Sequence, residues 1–149
     1  MMYDIHWEHQ ITYVCFTGVV SEAEFLRSLD DIQGDPRFDA LRFAINDFSN
    51  TTQLQLTRNV IEFFAAKAIG SSHSNPNICI VFVTTDESLA TTINGILPLT
   101  EDFFRTKIFV CLKDAWNWIK TDQQSNPYNS LHVGKKLSLD FSHQNVAET

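Results

Sequence analysis

Ile78-Cys-Ile-Val-Phe-Val83 is the stretch that most narrows what this chain can become. It is rich in β-branched residues, it is strand-sized, and it is apolar at both alternating sets of positions. A strand with two oily faces has to be covered on both, which in a small protein means the interior of a largely parallel sheet flanked by helices. The flanking sequence agrees, because helical and strand periodicities alternate on either side of it. Tyr3, Ile5 and Trp7 alternate with Asp4, His6 and Glu8, the pattern of a half-buried strand. After a break at His9–Gln10, Ile11 to Thr17 forms a second strand, apolar in both sets, that runs to Gly18 and belongs near the sheet centre.

Ser21-Glu-Ala-Glu24 is a capping box, and Phe25, Leu26, Leu29 and Ile32 then make one helical stripe before Gly34-Asp-Pro36 ends it. Leu41, Phe43 and Ile45 predict a third strand ending at Asn46-Asp47, followed by a polar loop from Asp47 to Thr52. Thr57, Val60, Ile61, Phe64, Ala65 and Ala68 recur at helical spacing, with Gly70 closing the helix. Thr84-Thr-Asp86 opens another, with Leu89, Ala90, Ile93 and Leu97 inward, Gly95 weakening its last turn and Pro98 lying beyond it. Ile108 to Leu112 reads as the fifth strand, and Asp114 as the cap of a short helix whose Ala115, Trp118 and Ile119 face one way. The expected fold is therefore α/β: a mixed, mostly parallel five-stranded sheet flanked by helices, opened by an antiparallel hairpin.

At 149 residues the chain suits one domain, assigned to residues 1–120. Residues 121–149 read as a tail or arm, in which Leu131, Val133, Leu137, Leu139 and Phe141 alternate around Gly134-Lys-Lys136. A lone hairpin is marginal in water, so this segment is expected to dock on its own or a neighbouring subunit. Lys plus Arg number 11 against 18 Asp plus Glu, and the net charge of −7 argues against a nucleic-acid partner. No stretch approaches the ~18 apolar residues of a membrane span, and no secretory signal opens the chain, so the expected location is cytoplasmic. Cys15, Cys79 and Cys111 are odd in number and each lies within an apolar run, which reads as three buried, reduced thiols.

Ligands of parallel sheets gather at the carboxyl ends of the strands. Here those segments are Gly18–Ser21, Asp47–Thr52, Thr84–Ser88 and Lys113–Asp114, rich in hydroxyls and carboxylates. Asp47, Ser49, Thr52, Thr84 and Thr85 are the candidate ligand- or partner-binding residues, although helix capping alone accounts for Ser21, Thr85 or Asp86, and Asp114. No glycine-rich phosphate cradle is present, and no cofactor is expected. Asp47, Thr84 and Lys113 stand where a phospho-receiver holds its acceptor, hydroxyl and charge partner. The first parallel strand, however, ends in Gly18-Val-Val-Ser21 rather than the acidic pair a metal ion needs. His6 and His9 sit three apart on a strand and point to opposite faces, so no metal site is expected. His73, His132 and His143 lie in polar surroundings. The cysteines are flanked by strand apolars, which excludes a Cys–His nucleophile, and neither G-x-S-x-G nor H-E-x-x-H occurs. No catalytic residue is assigned.

With Val14-Cys-Phe-Thr-Gly18, Ser21-Glu-Ala-Glu24, Asp47-Phe-Ser49, Ile78 to Val83 and the closing Ile108-Phe-Val-Cys-Leu-Lys-Asp-Ala-Trp-Asn-Trp-Ile119, the chain resembles the SpoIIAA-like family, a STAS-like group of small bacterial proteins. The resemblance covers about residues 3–120. It implies a mixed sheet flanked by helices and a binding or regulatory module, not an enzyme. Better-known members carry a phosphorylatable serine, in an Asp-Ser-Ser-Gly context, at the start of the helix after the third strand. Gln55-Leu-Thr-Arg58 stands there in this chain, and only Thr57 keeps a hydroxyl. The resemblance thus makes Thr57 the one possible phospho-acceptor, whereas the helical stripe predicts that it faces the core. The expected function is non-enzymatic binding of a protein partner or of a second copy as a homodimer, through the tail, an apolar edge strand and the aromatic Trp7, Trp116 and Trp118. Two alternatives stand beside it. One is a carrier of a small apolar or lipid-type ligand in a pocket lined by Phe63, Phe64, Phe103 and Phe104. The other is an enzyme built around Asp47, Ser49 and Thr85.

Overall fold

The computed structural model describes residues 3–125. The elements run β1 (Tyr3–Glu8), β2 (Ile11–Val20), α1 (Glu22–Gln33), a short 3-10 turn (Pro36–Ala40), β3 (Phe43–Leu54), α2 (Arg58–Ser71), β4 (Cys79–Val83), α3 (Glu87–Thr100), β5 (Arg105–Phe109) and α4 (Leu112–Ser125). The sheet order is β1-β2-β3-β4-β5, with β1 and β2 antiparallel and the other pairs parallel. The α/β architecture with an antiparallel opening hairpin is thus the one the sequence predicts.

Strand order equals chain order, so all three β-α-β crossovers step the same way across the sheet. Right-handed crossovers then put α1, α2 and α3 on one face. Their Phe25, Leu29, Val60, Phe64, Leu89 and Ile93 pack there on Val14, Phe16, Ala44, Ile80 and Phe82. The other face, formed by Tyr13, Ile45, Val81 and Val83, packs against α4 through Leu112, Ala115, Trp116 and Ile119. The capping box at the start of α1 forms as predicted: the Ser21 hydroxyl accepts from the Glu24 amide (3.2 Å), and the Glu24 carboxylate accepts from the Ser21 amide.

Several expectations are corrected. The polar segment Asp47–Thr52 is strand, not loop, because β3 continues to Leu54 alongside Thr17–Val20 of β2. A register shift accompanies that extension at Gly18, whose φ of 68° is a conformation glycine adopts without strain. Pro98 lies inside α3, not beyond it. Gly70 lies inside α2, which ends at Ser71. The fifth strand starts at Arg105 and stops at Phe109, so Leu112 opens α4 and Asp114 sits in its first turn instead of capping it. This edge strand is not apolar: the cations of Arg105 and Lys107 lie over the Trp118 ring, and charge on an edge discourages further pairing.

Trp116 is not surface; only 1% of it is exposed. Trp7 is half-buried beneath the Arg37 guanidinium, 4.2 Å from the ring centroid. Of the three thiols only Cys79 is buried, and burial pushes its pKa up to about 12. Cys15 is half-buried and Cys111 exposed. Helix α4 runs past the expected domain end at residue 120, and the predicted tail hairpin lies outside the described residues, as do His132 and His143.

Phe16 is fully buried, stacked on Phe48 (ring centroids 4.7 Å apart) and beside Phe25. Phe16→Ala is expected to cost about 3–5 kcal/mol by urea unfolding. Ser21→Ala should lose about 1 kcal/mol with its cap, and Val110→Ser, at an exposed position, less than about 0.5 kcal/mol. Equal losses at all three positions would contradict this packing.

Candidate functional site

The side chain placed least predictably by its sequence is Asp47. It stands on β3 opposite Cys15 of β2 and beside Val83 of β4, on the α4 face of the sheet. Its exposure is 0%. A carboxylate in that position is tolerable only if its oxygens are hydrogen-bonded. The Tyr13 hydroxyl donates to Oδ2, and the Ser49 hydroxyl and the Ser49 amide (2.9 Å) both donate to Oδ1. Tyr13 is itself buried, its ring 6.1 Å from Trp116 of α4 and 6.1 Å from His6 of β1. Burial, the Asp47 charge, the hydrogen bond to it and the nearby Cys15 thiol all push the Tyr13 phenol far above its ordinary pKa, burial contributing most. The Asn50 amide reaches the Cys15 sulfur at 3.6 Å.

Asp47 therefore ties β2 to β3 at the level where β4 ends. Beyond it β3 and β2 project together as an overhang, on which Ser49, Asn50, Thr52 and Gln53 are exposed. Of the predicted site residues, the structure joins Asp47 and Ser49 directly and puts Thr52 on the same overhang. Thr84 is buried at the end of β4, next in line after the Asp47–Val83 pair. Its bonds are spent locally: its amide donates to the Phe109 carbonyl (2.9 Å), and its hydroxyl accepts from the Asp86 amide (3.0 Å). Thr85 is exposed in the turn before α3, whose cap is Asp86, accepting from the Leu89 amide at 2.9 Å.

Thr57 is a correction. It does not face the core but is exposed as the N-cap of α2, where its hydroxyl accepts from the Val60 amide (3.4 Å) and donates to the Glu22 carboxylate (3.0 Å). A Thr one step before the helix shares the phase of the apolar stripe, yet its extended backbone turns it out of the helical register. Lys113, matched to a receiver's charge partner, lies exposed in the first turn of α4. The four phenylalanines proposed as a pocket do not converge. Phe63 is 53% exposed and Phe103 40% exposed, while Phe64 and Phe104 are buried around a void of only about 10 Å³. Ligand pockets ordinarily run from about 300 to 1,000 Å³.

Tyr13 is the residue of this cluster that sequence reasoning missed. Its one signal is a polar-tipped aromatic at an inward position of a two-faced strand. Which carboxylate it meets depends on the β2–β3 register. Chemically, the cluster fixes the Ser49 hydroxyl with its hydrogen directed at Asp47. Among the described residues no group of three His, Cys, Asp or Glu side chains converges as a metal site would require, and no helix is long and apolar enough to cross a membrane. No known family model matches the sequence, and no curated protein matches it either.

Unfolded tyrosine ionises near pH 10, whereas folded Tyr13 keeps its proton well above that. The folded chain then binds more protons at alkaline pH, so stability should fall as pH rises past 10, by up to about 1.4 kcal/mol per pH unit from this group. Tyr3, pushed up to about 12 mainly by burial and then by its bond to Asp31, adds a similar loss to wild type and variant alike. Tyr13→Phe should cost about 1–3 kcal/mol at neutral pH by stranding Asp47, and should flatten the alkaline limb in urea unfolding from pH 7 to 11. Parallel limbs in the two proteins would mean that the phenol is not held as described.

Proposed function

We propose that this chain is a non-enzymatic binding or regulatory module of the SpoIIAA-like, STAS-like type, which acts through protein–protein contacts as a cytoplasmic bacterial homodimer. The observation that supports this most is the β2–β3 overhang. In a chain of net charge −7, the run Ser49-Asn-Thr-Thr-Gln53, exposed at every position but the half-buried Thr51, has no charged residue, and it is tied at its base by the Tyr13–Asp47 and Ser49–Asp47 hydrogen bonds. Contact surfaces are depleted in charge at their centres and use hydroxyl and amide groups for hydrogen bonds. A neutral surface also lets two acidic copies approach without setting like charges against each other. Val19 and Val110, exposed at the same end of the sheet, add apolar area.

The buried carboxylate serves this role by geometry. Its oxygens accept from Tyr13 and Ser49, and positioning these side chains accounts for the cluster. Thr57 is exposed enough to accept a phosphate, and the N-terminus of α2 would favour the added charge. Glu22, already bonded to Thr57, would oppose it.

Light scattering over a hundredfold range of concentration should show a monomer–dimer equilibrium for the whole chain. Thr52→Glu, which sets like charges at the centre of the contact, should shift it at least tenfold toward monomer without changing the melting temperature. A strict monomer at every concentration, or a dimer indifferent to Thr52→Glu, would count against this reading.

A further inference from the structure

The opposite end of the sheet, where the parallel strands begin, holds an open cleft of about 610 Å³. Its floor is apolar: Ile78 and Phe104 are buried, and Phe103 is 40% exposed over them. One lip is acidic. Glu101 and Asp102, both exposed, follow directly on the C-terminus of α3, whose last turn carries no basic residue. Neither carboxylate belongs to an ion pair among the described residues. Two carboxylates at the negative end of a helix dipole favour an added cation. The cleft's own cations are engaged: Arg105 is forked onto Asp122 of α4 at 2.9 and 3.0 Å, and Arg42 donates to the Leu41 carbonyl at 3.5 Å.

Asp122 also lines the cleft, and α4 ends within a turn of it, at Ser125. Residues 126–149 therefore leave the helix at the rim of this cleft. Their only Lys or Arg side chains are Lys135 and Lys136, adjacent after Gly134, with Leu131 and Val133 on one side and Leu137, Leu139 and Phe141 on the other. A cationic centre with apolar flanks is the complement of an acidic lip beside an apolar floor. Extended chain from Ser125 to Lys135 spans up to about 33 Å, well beyond the width of a cleft of this volume. A segment joined by a short linker to the rim of its own cleft meets it at an effective concentration on the order of millimolar, which favours it over the same segment of a second copy.

We propose that this cleft is the docking site of the chain's own C-terminal segment, with Lys135 and Lys136 against Glu101 and Asp102 and the apolar residues beside them on Phe103. Each copy then closes the amino end of its sheet with its own tail and keeps the overhang for contacts with other molecules. The inference does not rest on the function proposed above, since it concerns the other end of the sheet.

The full chain would be digested with trypsin under native conditions and the cuts followed by mass spectrometry. Cleavage after Lys135 and Lys136 is expected to be at least tenfold faster in the combined Glu101→Gln and Asp102→Asn variant, and in Phe103→Ser, than in the unaltered chain. Cleavage after Lys113, exposed but within α4, should stay slow in all three, which shows that the domain remains folded. If Phe103→Ser also speeds the cut at Lys113, the variant at the two exposed carboxylates decides alone. Protection of Lys135 and Lys136 should persist over a hundredfold dilution, even where dilution separates the dimer proposed above. Fast cleavage at these lysines in the unaltered chain, or rates equal in the unaltered chain and the carboxylate variant, would overturn the inference. So would protection lost on dilution, which would give the cleft to a second copy.

Discussion

Two-sided burial of the inner strands governs this structure. Ile80 and Phe82 of β4 point to one face, Cys79, Val81 and Val83 to the other, and none can be left wet. Three crossovers that step in one direction deliver their helices to a single face. The second face therefore depends on whatever follows β5, and α4 is that element. Its fully buried Leu112, Ala115, Trp116 and Ile119 close the layer. The largest of them, Trp116, packs on Tyr13, so cover of the second face and order at the polar cluster are parts of one arrangement.

Asp47 sits on the same α4 face, at the last position where three parallel strands run side by side. An apolar residue there would continue the layer. A carboxylate instead requires donors, and they come from the neighbouring strand (Tyr13) and from the chain just beyond it (Ser49). The effect is to stiffen β3 where it loses β4 as a neighbour and carries on with β2 alone. Such low-dielectric networks are stabilising only when every member is satisfied, which is why this polar group can lie in an aromatic layer.

The two ends of the sheet differ in character. The carboxyl end projects a neutral overhang built from hydroxyls and amides. The amino end gathers the C-termini of α2 and α3, with arginine and carboxylate side chains around an apolar floor. Neutral projecting surface suits a macromolecular contact, and a concavity with an acidic lip suits a basic segment of chain.

Local sequence determined the elements and their inward faces. Alternation marks β1, a run apolar in both sets marks β2, the stripe Phe25–Leu29–Ile32 marks α1, and the capping box marks its start, because each of these is set by chemistry within a few residues. Features that depend on neighbours far along the chain are not determined locally. The polar run after Asp47 became strand because β2 extends beside it; Trp116 was buried because α4 lies flat on the sheet; and Thr57 turned outward because an extended backbone precedes α2. Tyr13 and Asp47 are 34 residues apart, and nothing local to either signals the other. Their meeting is fixed by parallel register, and register is a property of the assembled sheet, settled only when all its faces are packed together.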